Sequence, residues 1–154
     1  HELSACREYF NQTLIKGIEL PEYFCVIYPT AVLLKAKDFK ASFKLLEAKK
    51  QVDVVMGVSR FNYHPYKALR NKKNAMLQPL FKNKYHLRSQ FYEEMYASNG
   101  TLYWHKTKSF LEKKYSGHYA DNLIGYIMNN EVSMDIDHKE DLKKLKDFYK
   151  KGRK

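Results

Sequence analysis

The segment Ser133-Met134-Asp135-Ile136-Asp137-His138-Lys139-Glu140-Asp141-Leu142 carries the clearest chemistry in the chain. It follows the apolar run Leu123-Ile124-Gly125-Tyr126-Ile127-Met128 and precedes a stretch of helical periodicity, so it stands where a strand passes to a helix. With Met134 to Asp137 extended, side chains two apart share a face: Asp135 and Asp137 project together, and Met134 and Ile136 face inward. Two carboxylates held side by side repel each other unless a cation or basic group lies between them. Mg²⁺ suits such a pair, because it takes oxygen ligands, keeps several waters and uses one or two carboxylates together with substrate phosphates. Taken alone, Asp-x-Asp is a weak signal, and an exposed acidic turn capping the next helix accounts for it at least as well.

Such a pair needs a fold to hold it beside a phosphate. The 154 residues are enough for one domain with a real core. Hydrophobic residues make up 44% and charged residues 29%, an ordinary balance for a soluble globular protein. The net charge of +11 favours anionic partners without choosing among nucleic acid, nucleotides, acidic sugars and anionic lipid. The 13 Tyr and 9 Phe could stack on bases, but many occupy apolar-periodic positions that belong to a core. Lysines are spread over most segments and no nucleic-acid-binding signature appears. Nucleic acid is therefore not the expected partner, and a basic nucleic-acid-binding module stands as the alternative.

Cys6 and Cys25 lie far apart with no Cys-x-x-Cys pair, which fits a reducing compartment and argues against structural zinc. Cys25 sits in an apolar strand pattern and reads as a small buried hydrophobe. The 6 histidines show no ligand spacing. No stretch reaches the length of a transmembrane span and no signal-peptide pattern opens the chain, so the expected setting is cytoplasmic with no membrane partner. The first residue is His1, not Met, as in a piece of a longer protein.

The elements that must position the acidic pair are legible in outline. Leu3, Cys6, Phe10 and Leu14 recur at helical steps through residues 2–16, and Gly17 stops that helix. Tyr23 to Tyr28 is a continuous apolar run, expected as a central parallel strand buried on both faces. Phe39, Phe43, Leu46 and Ala48 make one stripe of a helix over residues 37–50, and the valine-rich residues 52–58 form the next strand. Strand, helix, strand in succession predicts parallel pairing and a right-handed crossover. Residues 66–70 and 75–80 flank Asn71-Lys72-Lys73-Asn74 as a hairpin. Thr101-Leu102-Tyr103-Trp104 is a short strand, 106–114 a short helix, 123–128 a strand and 139–151 a last helix with Leu142, Leu145 and Phe148 on one face.

Tyr23-Phe24-Cys25-Val26-Ile27-Tyr28-Pro29-Thr30-Ala31 ends a strand in a Pro-Thr step, and Val54-Val55-Met56-Gly57-Val58-Ser59-Arg60-Phe61 leads to Pro65 and Ala68-Leu69. Arg88-Ser89-Gln90 then precedes Asn99-Gly100-Thr101-Leu102-Tyr103-Trp104, and Asp135-Ile136-Asp137 closes the series. In this order, over roughly residues 20–146, the segments resemble the nonulosonic-acid cytidylyltransferases: the acylneuraminate family, and most closely its pseudaminic acid branch. The resemblance implies an α/β protein with a three-layer, Rossmann-like nucleotide-diphospho-sugar transferase fold. Its sheet would be mostly parallel, with an inserted antiparallel hairpin region at about residues 60–98 for substrate and dimer contacts, in one partial domain over 1–154.

The implied reaction joins CMP, from CTP, to a nonulosonic acid and releases pyrophosphate. Asp135 and Asp137 would be the catalytic, Mg²⁺-holding pair. Arg88 and Gln90 would contact the sugar acid, Asn99 and Tyr103 would line its pocket, and Thr30 would lie at the substrate side. A homodimer is a further implication. The residue types suit these roles, since a guanidinium matches a carboxylate bidentately and Asn or Gln can both donate and accept. Locally, Asn99-Gly100 reads as a common hairpin turn, and Arg88 as an ordinary surface cation.

Two departures stand out. His138 replaces the family's Thr after the second aspartate and is a poor helix cap, while Asp137 and Glu140 have capping-box spacing. Asp135 is accordingly the firmer ligand of the two. No Ala-Arg-x-x-Ser-Lys loop, the family's cradle for the CTP phosphates, occurs in these residues. The chain thus reads as N-terminally incomplete, without the means to hold CTP and inactive alone, or as a truncated remnant, with strand 23–28 an exposed edge.

Overall fold

The computed structural model describes residues 2–112, 118–130 and 139–151. Four strands, β1 (Tyr23–Ile27), β2 (Val54–Arg60), β5 (Tyr96–Lys106) and β6 (Leu123–Ile127), form one mixed sheet in the order β1-β5-β2-β6. β3 (Leu69–Asn71) and β4 (Leu77–Pro79) make a separate antiparallel hairpin, with Asn71 opposite Leu77. The helices are α1 (Glu2–Ile15), α2 (Ala36–Ala48), the single-turn α3 (Lys82–Tyr85), α4 (Thr107–Glu112) and α5 (Lys139–Lys151). The chain is therefore α/β. None of its described helices is long and apolar enough to cross a membrane.

Local chemistry explains the helix ends. Gly17 takes φ 70 after α1, and the bonds Ile18 N–H to Thr13 O and Gly17 N–H to Leu14 O close a Schellman turn. At the start of α2, the Asp38 carboxylate accepts from Lys35 N–H at 3.2 Å and complements the positive end of the helix. Its other oxygen accepts from the Tyr126 hydroxyl at 3.0 Å, which ties α2 to β6.

Alternation along the strands sends two sets of side chains to two faces. On one face Val55, Leu102 and Trp104 pack with Leu46, Phe39 and Phe43 of α2. The buried indole N–H of Trp104 donates to Ser42 Oγ of the same helix at 3.1 Å. On the other face Phe24 and Val26 pack with Leu3 and Phe10 of α1 and with Phe110 of α4. Each face of the sheet thus carries helix, and a substitution such as Leu46→Ala at a fully buried position would cost about 2–5 kcal/mol.

Two expectations are corrected. β1 and β2 run parallel but are not neighbours: β5 lies between them, antiparallel to both, and the only parallel pair is β2 with β6 among the described strands. The pairing is therefore mixed and not mostly parallel, because the α2 crossover leaves one strand position that β5 fills from far along the sequence. β1 is also not buried on both faces. It pairs with β5 alone among the described strands, and none of its residues is buried. A short apolar run does not by itself distinguish a central strand from an edge strand.

Candidate functional site

β1, β2 and β6 end at the same edge of the sheet, where the antiparallel β5 begins. Ligands of open α/β sheets bind outside the carboxyl ends of the parallel strands. Here that end brings together Tyr28 and Thr30 after β1, Ser59 to Asn62 at the end of β2, Ser98 to Thr101 in β5, and Met128 to Asn130 after β6.

Asn99-Gly100 lies at its centre and is not a hairpin turn. It is a bulge inside the 11-residue strand β5, since Met56 faces Tyr103 whereas Val58 faces Ser98. Gly100 supplies the left-handed conformation, φ 68, that such a bulge uses. The Asn99 side chain locks it. Its carbonyl accepts from the Thr101 hydroxyl at 2.6 Å and the Thr101 N–H at 3.3 Å, and its amide donates to Ser59 Oγ at 3.1 Å. Gly57 makes room for this network: a Cβ there would meet Thr101 Oγ1 and lie 2.8 Å from Asn99 Oδ1.

Tyr103 is buried, with its hydroxyl in a 2.8 Å bond to Ser98 and its ring stacked on His118 at 3.7 Å. Around it runs a chain of polar groups between the sheet and α1. His105 Nε2 lies 3.1 Å from His118 Nδ1, His118 Nε2 lies 3.2 Å from the Tyr28 hydroxyl, and that hydroxyl donates to Glu2 at 2.7 Å. Burial, with the neighbouring His118 adding to it, pushes His105 down to about 3. Burial also lowers His118, against the opposing pull of Glu2. Burial thus disfavours the charged form of both imidazoles, and with the Tyr28 hydroxyl given to Glu2, His118 Nε2–H is the donor to that hydroxyl.

Thr30 is half-buried in the turn after β1, where its carbonyl accepts from Val32 N–H at 2.8 Å. Arg88 and Gln90 are exposed and flank Ser89 in a short 3₁₀ turn. Ser89 lines a cleft of about 330 Å³ that also takes in Arg60, Asn62, His64 and Tyr92. A second cleft of about 390 Å³ is lined by Arg60, Ile127, Met128, Asn129 and Asn130. Arg60 is common to both. The expected site residues therefore fall into two sets: Thr30, Asn99 and Tyr103 at the end of the sheet, and Arg88 and Gln90, which line neither cleft themselves, on either side of Ser89.

A larger cleft, about 680 Å³, lies on the hairpin, lined by Arg70, Gln78, Pro79, Leu80, Phe81, Lys82, Asn83 and Lys84. It belongs to a strongly polarised stretch, since residues 61–92 contain 5 Lys, 2 Arg and no Asp or Glu. The positive charge is thus more concentrated than a scatter of lysines along the chain suggests.

Asp135 and Asp137 lie outside the described residues. Among those described, no three His, Cys, Asp or Glu side chains come together as a metal-binding group. The oxygens at the end of β6 are neutral: Asn130 Nδ2 donates to Asn62 Oδ1 at 2.9 Å and to the Arg60 carbonyl at 3.0 Å. Amide oxygens suit Mg²⁺ in kind but bring no negative charge, so carboxylates are the missing part of such a donor set.

The polar chain through His105 and His118 and the central place of Arg60 were not anticipated. The first had a signal in the alternation Thr101-x-Tyr103-x-His105, three polar-tipped residues on one face of a buried strand. The second had none, because it depends on where the ends of three strands meet. No protein-family model and no curated protein matches the chain.

Proposed function

We propose that this chain supplies the sugar-acid and metal side of a cytidylyltransferase, which joins CMP from CTP to a nonulosonic acid of the pseudaminic or sialic type. What supports the reading is convergence. Ser59-Arg60 and Asn99 come from two separate segments of the resemblance and are joined by the 3.1 Å Asn99–Ser59 bond, at the end of the sheet where Thr30 follows β1, the end at which open α/β sheets bind ligands. The chain leaving that end at Asn130 reaches Asp135 5 residues later. On this reading the mixed sheet is part of a Rossmann-like nucleotide-diphospho-sugar transferase fold working in the cytoplasm.

The roles are those the resemblance implies. Asp135 and Asp137 would hold Mg²⁺, whose charge offsets that of the CTP phosphates. Arg88 and Gln90 reach the sugar acid from the rim. Asn99 shapes the pocket floor through Ser59 and Thr101, Tyr103 does so through Ser98, and Thr30 borders the β1 side. The anomeric oxygen bonds to the α-phosphorus as the bond to pyrophosphate breaks, and the protein contributes positioning and electrostatics. Exposed Met76, Leu77 and Leu80 on the hairpin suit the subunit contact of a homodimer.

The test pairs binding with turnover on the same protein. Saturable binding of pseudaminic or N-acetylneuraminic acid is expected. Little CMP-sugar is expected from CTP and Mg²⁺, since no Ala-Arg-x-x-Ser-Lys segment occurs in these residues. Failure to bind either acid would contradict the reading. The basic stretch at residues 61–92, with its cleft between Arg70 and Lys84, favours a second reading as a nucleic-acid-binding module. A salt-dependent mobility shift of single-stranded RNA, lost in Lys82→Ala/Lys84→Ala, would select it.

A further inference from the structure

Arg60 ends β2, the strand flanked by both β5 and β6, and its backbone is fixed there by the Asn130 amide bonded to its carbonyl at 3.0 Å. Its guanidinium is the cation shared by the two clefts at this end of the sheet. One of its amino groups is paired with Glu94, and both side chains are largely exposed, at 68% and 60%. A guanidinium carries five N–H donors in a rigid fork that matches a carboxylate bidentately, so a single contact to Glu94 leaves most of that capacity unused. Exposed ion pairs of this kind contribute little, and exchanging one carboxylate for another at Arg60 is correspondingly cheap.

The wall beside Arg60 is better ordered than the pair itself. His64 Nδ1 accepts from Tyr66 N–H at 3.2 Å, which places the ring proton on Nε2, where it donates to the Glu93 carbonyl at 3.0 Å. The His64 ring packs on Tyr92 at 4.4 Å, and the buried Tyr66 gives its hydroxyl to the Glu93 carboxylate. Glu93 is thereby held, whereas its neighbour Glu94 is held by Arg60 alone among the described residues. Asn62, Ser89 and Tyr92 add amide and hydroxyl groups around an aromatic surface, the lining that a hydroxyl-rich ligand needs.

We propose that Arg60 is the receptor for the carboxylate of a hydroxyl-rich acid bound in the cleft between Asn62 and Ser89, and that Glu94 occupies it in the ligand-free protein. Binding exchanges Glu94 for the ligand carboxylate. The proposal rests on the sugar-acid reading for the ligand's class, but it assigns the anchoring cation to Arg60 and gives the site a built-in competitor. Arg88, on the rim, contacts the remainder of the ligand.

The test is a titration of the 154-residue chain with N-acetylneuraminate and D-glucuronate, with D-glucose as the uncharged control, followed by heteronuclear NMR with the Arg60 Nε–H as reporter. Arg60→Gln should weaken binding of both acids by about tenfold or more, and Arg60→Lys should restore it only in part, as loss of a bidentate contact predicts. Glu94→Gln should tighten binding about threefold by removing the competitor. The proposal is overturned if Arg60→Gln binds as wild type does, if Arg88→Gln carries the loss instead, or if Glu94→Gln weakens binding. It is also overturned if neither acid binds wild type or Glu94→Gln, or if glucose binds as well as the acids. With a CTP-binding segment supplied, CMP transfer by Arg60→Gln equal to that of wild type would sink this proposal and leave the cytidylyltransferase reading standing. Arg60-dependent binding of both acids, with no preference for the nine-carbon acid and no CMP transfer when a CTP-binding segment is supplied, would do the reverse.

Discussion

The proposed metal-holding aspartates and the buried histidines each give a prediction at the scale of single residues. On the proposed reading, sequence spacing gives a competing helix-cap role to Asp137, three residues before Glu140, and none to Asp135. Asp135→Asn should therefore weaken Mn²⁺ binding, read by electron paramagnetic resonance, by at least about tenfold, and more than Asp137→Asn does. Equal or reversed losses would show that the cap argument misjudged the pair. His105 gives a prediction in pH. Its folded value, about 3, lies below the ordinary 6.5, so between these pH values the unfolded chain takes up a proton that the folded chain does not. Stability from this site is full above about pH 6.5 and falls as the pH drops towards 3, by roughly 3 kcal/mol at pH 4. His118, also lowered by burial, acts in the same direction. His105 stacks on Phe24 at 5.0 Å and lies near Phe110, so His105→Phe should fit. Its melting temperature should fall less than that of wild type between pH 7 and 4, and an equal fall would remove His105 as the cause. The alternation of Thr101, Tyr103 and His105 made this polar face legible in the sequence. The Arg60–Glu94 pairing was not, because the two residues meet only through the loop between β2 and β5.

Elements were legible where local signals were strong. Helical steps ending at Gly17, the stripe Phe39-Phe43-Leu46 and the apolar runs at 23–28, 52–58 and 123–128 gave α1, α2, β1, β2 and β6 close to their observed bounds. The hairpin of β3 and β4 was equally readable from its polar turn, where Asn74 and Ala75 both take positive φ. Two things were not local. Strand order depends on pairing across the whole chain, so the insertion of β5 between β1 and β2 left no mark in either segment. Asn-Gly fits a hairpin and a bulge alike, and only the register of β5 against β2 separates them. The bulge in turn depends on Gly57, which no single-strand pattern reveals. Gly57→Ala would press a methyl group on Thr101 and Asn99 and should cost about 1–3 kcal/mol in chemical denaturation. A neutral substitution would mean that the Asn99 network can shift without loss.

Among the described residues, basic charge and exposed apolar side chains coincide on the hairpin region. Two helix-covered faces bury the core, while the hairpin region carries 7 basic residues over 61–92 and exposes Met76, Leu77 and Leu80. The strand ends present a different surface, in which hydroxyls and amides surround Arg60. These are two candidate binding regions of unlike chemistry, and the functional reading rests on the second. Backbone NMR of the ¹⁵N-labelled chain titrated with pseudaminic acid separates them most directly. The account predicts shifts concentrated at Thr30, Ser59, Arg60, Asn62 and Asn99, with Arg70, Lys82 and Lys84 unmoved. Shifts confined to the hairpin cleft, or none at saturating acid, would contradict it.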